Sequence, residues 1–161
     1  MKIYPACYAL QRPIHCLSAL TQDVGLQSSD ITKITIRTPA ATVVPLIHHR
    51  PATGLQGKFS MEFCLASILV LRKAGLAEFT DETAKRADIR DAVAKIDYTV
   101  YSDEEAAANA YKPLTSFLDI ELVDGRKISA RADIAKGNPL HPMSEDEVGR
   151  ASCRERVCLL V

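Results

Sequence analysis

The chain has 161 residues, and its 20 basic and 20 acidic side chains give no formal net charge at pH 7. This length suits one domain with a sizeable core, and the balanced charge gives no electrostatic reason to expect nucleic acid or an anionic membrane as partner. The longest apolar run, at 64–71, is too short to cross a bilayer, and the N-terminus lacks the apolar stretch of a secretory signal. We therefore expect a cytoplasmic protein.

The first part of the chain predicts a helix, a strand and a rigid loop. From Arg12 to Val24 apolar residues recur on one helical face, and Gly25 follows at the end. The stretch "DITKITIRT" alternates apolar and polar residues, as a half-exposed strand does, and Pro39 stops it. Residues 48–50 ("HHR") then lie between two prolines that restrict the backbone.

The middle of the chain predicts a buried helix followed by a second helical segment. Ser60 has the chemistry of a helix N-cap, with an acidic residue in the first turn to complement the dipole. The helix predicted from Met61 to Arg72 is apolar nearly all round, so it belongs at the centre of the core, and Gly75 ends it. Thr80 caps the next segment, whose apolar stripe runs to Ile96.

The last part predicts a strand, a brief helix and a β-hairpin. A strand over "IDYTVYS" leads into a capping box that begins at Ser102. Two alternating runs flank Asp124 and Gly125, a pair favoured in tight hairpin turns, and a second capping box begins at Ser144. Together these elements predict an α+β fold with a small, mostly antiparallel sheet covered by helices.

The C-terminal stretch "GRASCRERVCLLV", residues 149–161, differs from the rest of the chain. The apolar spacing of the expected last helix is lost there, and two cysteines appear within six residues. The stretch resembles a translated adapter sequence. We expect a foreign tail at 149–161, the alternative being a natural frayed tail.

The five cysteines are an odd number without zinc-ligand spacing. They favour a reducing compartment over a disulfide framework, and they predict neither a metal site nor a cofactor. Cys64 lies in the apolar run and is expected to pack in the core. Cys7 is a candidate nucleophile, but no Cys-His-Asn pattern supports it.

The stretch "TGLQGKFSMEF" places a glycine and a cation at the start of the buried helix. A helix N-terminus offers free N–H groups and partial positive charge to an anion. We therefore predict that Gly57, Lys58 and the N–H groups after Ser60 form one side of a carboxylate or phosphate site, with Arg50 nearby. The alternative is an ordinary loop that leads into a buried helix.

Four separated segments together resemble one family. They are "KIYPAC" (2–7), "LIHHRPATGLQGKFSMEF" (46–63), "AGLAEFTDE" (74–82) and "GNPLHPMSEDE" (137–147). In this order they resemble the C-terminal part of MmgE/PrpD proteins, a family that includes 2-methylcitrate dehydratases, cis-aconitate decarboxylases and iminodisuccinate epimerases. The resemblance extends from Lys2 to about Val148.

The resemblance implies a fold, a chemistry and partners. It implies a larger all-helical domain followed by a smaller α+β lid, a site in the cleft between them, and a homodimer. It implies small polycarboxylate substrates and proton abstraction next to a carboxylate, or loss of carbon dioxide, without a metal or iron–sulfur cluster. Residues 1–148 resemble the lid, truncated at both ends. The acid and base groups of the helical domain have no counterpart here, so we expect the chain alone to be inactive.

The resemblance also assigns individual residues. Lys2 matches a lysine that points toward the substrate, which implies a catalytic role. Phe63 stands where relatives often have a tyrosine; losing that hydroxyl weakens the case for dehydration or decarboxylation and keeps epimerisation or a divergent substrate open. Gln11 stands near a position where many relatives carry a histidine. His48 and His49 can carry protons near neutral pH, the alternative being a loop that packs on its neighbour or forms the dimer surface.

Two other functions remain open from the sequence. One is a free-standing module that binds a small anion with the same cationic loop. The other is an inactive gene fragment that folds without a function of its own.

Overall fold

The computed structural model describes residues 2–145 and 148, and within them the chain forms an α+β fold of seven α-helices and four strands. The predicted fold class is confirmed. The helices are α1 (Gln11–Asp23), α2 (Ala40–Val43), α3 (Gly54–Gly57), α4 (Met61–Leu71), α5 (Asp81–Lys85), α6 (Ala87–Val93) and α7 (Asp103–Ala108). Short 3-10 turns lie at Tyr8–Leu10, Ser28–Asp30 and Leu76–Glu78.

The four strands form one mixed sheet in the order β2-β1-β3-β4. They are β1 (Ile31–Pro39), β2 (Ile96–Tyr101), β3 (Ser116–Leu122) and β4 (Lys127–Ala132). The pairs β1–β3 and β3–β4 are antiparallel, as predicted, whereas β1 and β2 are parallel. The parallel pair differs from the prediction because helices α2 to α6 lie between these two strands, which gives the long crossover that parallel neighbours need.

Helices that include α1 and α4 cover one face of the sheet. The opposite face is open to solvent over much of its area, but at one end Arg37 of β1 pairs with Glu105 of α7. In β1 the side chains of Ile34 and Ile36 are buried, while Lys33 points to the opposite face and pairs with Asp97 at 3.0 Å. This is the half-exposed strand that the alternation predicts. Helix α1 lies on β3 and β4, and α4 packs against both α1 and α6.

Helix α4 is the central element of the core, as its apolar sequence predicts. Residues 61–69 are all buried, and Ser60 is the N-cap. The helix ends at Leu71, because Arg72 adopts a left-handed conformation with φ of 58°. The prediction that Gly75 ends the helix is wrong, since the chain has already left the helix three residues earlier.

The segment after Thr80 is two short helices rather than one. Thr80 caps α5 as predicted, but Arg86 is extended, with ψ of 136°, and separates α5 from α6. Ile89 and Val93 on α6 face the core, as the apolar stripe predicts. The third member of that stripe, Ile96, instead begins β2.

The short helix predicted after Ser102 and the hairpin turn predicted at Gly125 are both present in the structure. The hydroxyl of Ser102 caps α7, and Gly125 has φ of 85° in the turn between β3 and β4. The capping box predicted at Ser144 includes Glu147, which lies outside the described residues, as does the predicted tail at 149–161. No helix among the described residues is long and apolar enough to cross a bilayer.

Candidate functional site

Three loops meet at the N-terminus of α4. In the loop formed by residues 2–7, the backbone N–H of Cys7 donates to the carbonyl oxygen of Lys58 at 2.9 Å. In the second loop, residues 44–53, Nδ1 of His49 lies 2.9 Å from a carboxylate oxygen of Glu62 in the first turn of α4. The third loop, residues 58–60, connects α3 directly to α4. Segments that the sequence predicts to carry the site are therefore neighbours in the fold.

Ser60 fixes the start of α4. Its buried hydroxyl oxygen accepts the N–H of Phe63 at 3.2 Å and donates to the Glu62 carboxylate at 3.2 Å. The N–H groups of Met61 and Glu62 have no hydrogen-bond partner among the described residues. Two donors at the positive end of the helix dipole therefore remain without a protein partner, on residues that are 0% (Met61) and 7% (Glu62) exposed.

Glu62 belongs to the site, although the sequence analysis assigns it only to the helix dipole. The residue is 7% exposed, and each of its two carboxylate oxygens faces a different donor group, one on Ser60 and one on His49. The His49 side chain, by contrast, is 64% exposed. The contact joins a buried anion to a ring that solvent or a ligand can reach.

Tyr98 on β2 holds the other side of the His49 ring. The two rings stack with centroids 5.7 Å apart and planes 17° apart, and the Tyr98 hydroxyl lies 3.4 Å from Nδ1. Burial raises the pKa of Tyr98, and the negative charge of Glu62 raises it further, so this hydroxyl stays protonated at neutral pH. No local signal in the sequence points to this partner, because Tyr98 is 49 residues from His49 and lies on a distant strand.

The basic side chains of the three loops have few partners. Lys2 donates to the carbonyl oxygen of Ala6 at 3.4 Å. Lys58 is half-buried and Arg50 is exposed, and neither forms an ion pair with any described residue. His48 is half-buried, and its ring has no hydrogen-bond partner within the described part of the chain. Lys58 and Arg50 therefore keep charges that a bound anion can neutralise.

Two predicted site residues lie beneath this surface. The Phe63 side chain is 1% exposed and packs on Phe79, with ring centroids 5.7 Å apart. Gly57 is buried too, and a Cβ built on it would come within 2.6 Å of two carbons of the Phe63 ring. The contacts of both residues are packing contacts, and their predicted roles in substrate binding stay predictions.

Comparison with protein families matches residues 4–150 to the MmgE/PrpD C-terminal domain. The chain belongs to the MmgE/PrpD family. The resemblance found in the sequence is thereby confirmed. The matched region includes residues 4–7 of the first loop, but not Lys2, and the whole of the other two loops. Comparison with curated proteins gives no match.

In this MmgE/PrpD domain, Gln11 fastens the first loop to α1. Its side-chain oxygen accepts the N–H of Tyr4 at 3.2 Å, and its side-chain nitrogen donates to the Tyr4 carbonyl oxygen at 2.9 Å. Gln11 itself is 2% exposed. The residue that stands near the family's histidine therefore orders the loop that carries Lys2.

The cysteines of the MmgE/PrpD domain differ in accessibility. Cys64 is fully buried, its thiol donates to the Gly57 carbonyl oxygen at 3.3 Å, and burial strongly raises its pKa, all of which fits the predicted packing role. Cys7 is half-buried beside the site. Within residues 2–145 and 148, no three His, Cys, Asp or Glu side chains are grouped as metal ligands would be.

Proposed function

We propose that the domain is the lid of a lyase or isomerase that acts on small polycarboxylates, similar to 2-methylcitrate dehydratase, and that the three loops at the start of α4 bind the substrate. The observation that carries this proposal is the pair of unpaired cations, Lys58 and Arg50, in loops that adjoin a helix N-terminus with two free N–H groups. A polycarboxylate needs several such donors to offset the cost of its desolvation.

The negative charge of Glu62 opposes an incoming anion, so the cations of the loops have to offset it. A carboxylate at a helix N-terminus repels a second anion, unless its charge is offset. Ser60 and His49 donate hydrogen bonds to the Glu62 oxygens but do not cancel its negative charge, and neither Lys58 nor Arg50 pairs with it. These two cations, with Lys2 on the first loop, supply the positive charge in this proposal.

Exposed apolar side chains around the three loops support a covering partner. Tyr8 is 42% exposed, Val44 75%, Ile47 71%, Leu55 70% and Phe59 40%. A set of exposed apolar residues next to a polar site is typical of a surface that another domain covers. We propose that the helical domain of an MmgE/PrpD enzyme covers this surface, closes the substrate cleft and completes a homodimer.

Two surface depressions among the described residues lie away from the three loops, as expected of a lid whose site another domain completes. They have volumes of about 210 and 430 Å³ and lie at β3–β4 and at the end of α1, and none of the predicted site residues lines them. A small-molecule site normally buries most of its ligand. In this proposal the enclosed site forms only when the lid meets the helical domain.

The test is turnover by an enzyme assembled from this chain and the helical domain of a family member. The panel comprises 2-methylcitrate, cis-aconitate and iminodisuccinate. We expect turnover of at least one of them, and none by the chain alone, because the lid lacks the family's main acid and base groups. Turnover by the purified chain alone, surviving controls for host enzyme, would contradict the lid assignment.

Lys58→Met in the assembled enzyme tests the anion site itself. We expect kcat/KM to fall by roughly ten- to a hundredfold, the scale of a charge-assisted hydrogen bond of about 1.5–3 kcal/mol. Lys58→Arg should be milder, and Lys33→Met, on the outer face of the sheet, should change little. Unchanged kinetics together with a lower melting temperature for Lys58→Met would make Lys58 a structural residue.

A further inference from the structure

The contact between His49 and Glu62 has the form of a proton-transfer pair. We propose that His49 is the residue through which the lid exchanges a proton with the substrate, and that Glu62 is the positioning residue that holds its ring. The inference rests on the proposed function for its substrate, a small polycarboxylate. The pairing itself can be tested without that function.

Glu62 determines which ring nitrogen of His49 carries the proton. One Glu62 oxygen faces Nδ1 at 2.9 Å, and the other accepts the Ser60 hydroxyl at 3.2 Å. An ionised carboxylate only accepts hydrogen bonds, so we assign the proton of the neutral ring to Nδ1. The lone pair is then on Nε2, which has no hydrogen-bond partner among the described residues.

Two rigid elements hold the His49 ring in place. Glu62 lies in the first turn of α4, and it is itself fixed by burial and by Ser60. Tyr98 lies on β2 and stacks on the ring at an interplanar angle of 17°. A ring held from a helix and a strand keeps its orientation better than one held by its own loop. His48 has no such support within the described residues.

The pair can carry out one balanced step. Nε2 takes a proton from a carbon next to a substrate carboxylate, and the electron pair of that C–H bond stays on the substrate, delocalised toward the carboxylate. The imidazolium that forms keeps its Nδ1–H bond to Glu62, whose negative charge stabilises it. The same nitrogen then gives its proton back to that carbon, or to a hydroxyl group that leaves the neighbouring carbon as water while the electron pair forms a double bond. Either course restores the neutral ring.

Nitrogen-15 NMR of the 161-residue chain tests the pairing. Above the titration range of histidine, the ring shifts of His49 should report a proton on Nδ1, and Glu62→Ala should move the population toward the Nε2–H form. The ring shifts of His48 should not change, which controls for a general disturbance of the loop. Circular dichroism verifies that Glu62→Ala folds. A His49 ring protonated on Nε2 in the unsubstituted chain, or one unaffected by Glu62→Ala, would overturn the proposal.

Kinetics of the assembled enzyme test the role in catalysis. His49→Gln should lower kcat by about 100- to 10,000-fold with a much smaller change in KM, the usual range for loss of a general acid or base. His141→Gln, at an exposed position after β4, is the matched control and should stay within a few fold. An active enzyme that keeps its kcat after His49→Gln would overturn this proposal and leave the proposed function standing. An assembled enzyme that turns over no polycarboxylate would overturn both.

Discussion

The contact between Gly57 and Phe63 shows how a single residue sets the geometry of the site. The Cβ of any side chain at position 57 would lie only 2.6 Å from carbons of the Phe63 ring, which is too close for a normal contact. The ring is 1% exposed and is backed by Phe79, so it has little room to move away. The glycine that the sequence suggested for close approach of an anion is required by the core beneath the loop.

A glycine-to-alanine series tests this packing. Gly57→Ala should reduce the free energy of unfolding by about 1–3 kcal/mol, the usual cost of overpacking. Gly54→Ala should cost more, because its Cβ would lie 2.0 Å from the backbone oxygen of Phe79. Gly75→Ala is the control, since its Cβ would approach only the flexible carboxylate of Glu78, at 3.0 Å. Urea denaturation that finds Gly57→Ala as mild as Gly75→Ala would contradict the account.

At the scale of the element, the start of α4 links stability to the site. Ser60 is fully buried, and its hydroxyl both caps the helix and fixes one oxygen of Glu62. The caps of α5 and α7, Thr80 and Ser102, make only local contacts. Of these three capping residues, Ser60 is thus the one that also orders a candidate functional residue.

Serine-to-alanine substitutions compare a buried cap with an exposed one. Ser60→Ala should lower the free energy of unfolding by about 1–2 kcal/mol, at the upper end for caps, because the Phe63 N–H is left buried without its partner. Ser102→Ala should cost about 0.5–1 kcal/mol, because water can replace the lost hydroxyl at that exposed helix end. If thermal or chemical denaturation gave equal losses in the free energy of unfolding for the two variants, burial of Ser60 would add nothing to the stability that its cap provides.

Local signals in the sequence predicted most elements, because caps, turns and alternation depend on neighbouring residues. Ser60, Thr80 and Ser102 cap helices, and Gly125 lies in a hairpin turn, as their positions predict. The helix break at Arg86 and the parallel β1–β2 pair were not predicted, because tertiary packing rather than local propensity decides them.

Part of the candidate site could not be predicted from the sequence either. His49 and Glu62 are 13 residues apart, and Tyr98 is 49 residues from His49, so no spacing rule brings them together. The loops carrying the unpaired cations were recognised, because the basic residues and the helix start are adjacent in sequence. Burial of Phe63 follows from the apolar helix predicted at 61–72, whereas burial of the polar Ser60 and Glu62 does not, because it depends on the contacts that these side chains make.

At the scale of the whole molecule, the exposed apolar side chains should mark where the helical domain docks. Ile47→Ser with Leu55→Ser should leave the stability of the chain within about 0.5 kcal/mol, because both side chains are about 70% exposed. The same pair should weaken association with a separately expressed family helical domain, measured by calorimetry. Val123→Ser, equally exposed at the hairpin, is the control. Equal weakening by Val123→Ser would place the docking surface elsewhere.

The central claim is that a small polycarboxylate binds where the three loops meet at the start of α4. The most direct measurement is an NMR titration of the 161-residue chain with 2-methylcitrate, with uncharged glycerol as the control ligand. We predict saturable amide shifts at 48–50 and 57–62, with a dissociation constant of about 1–10 mM for a half-formed site, and loss of the shifts in Lys58→Met. Micromolar affinity at the same loops would favour a free-standing anion-binding module. Shifts confined to other surfaces, or none at about 10 mM ligand, would contradict the claim.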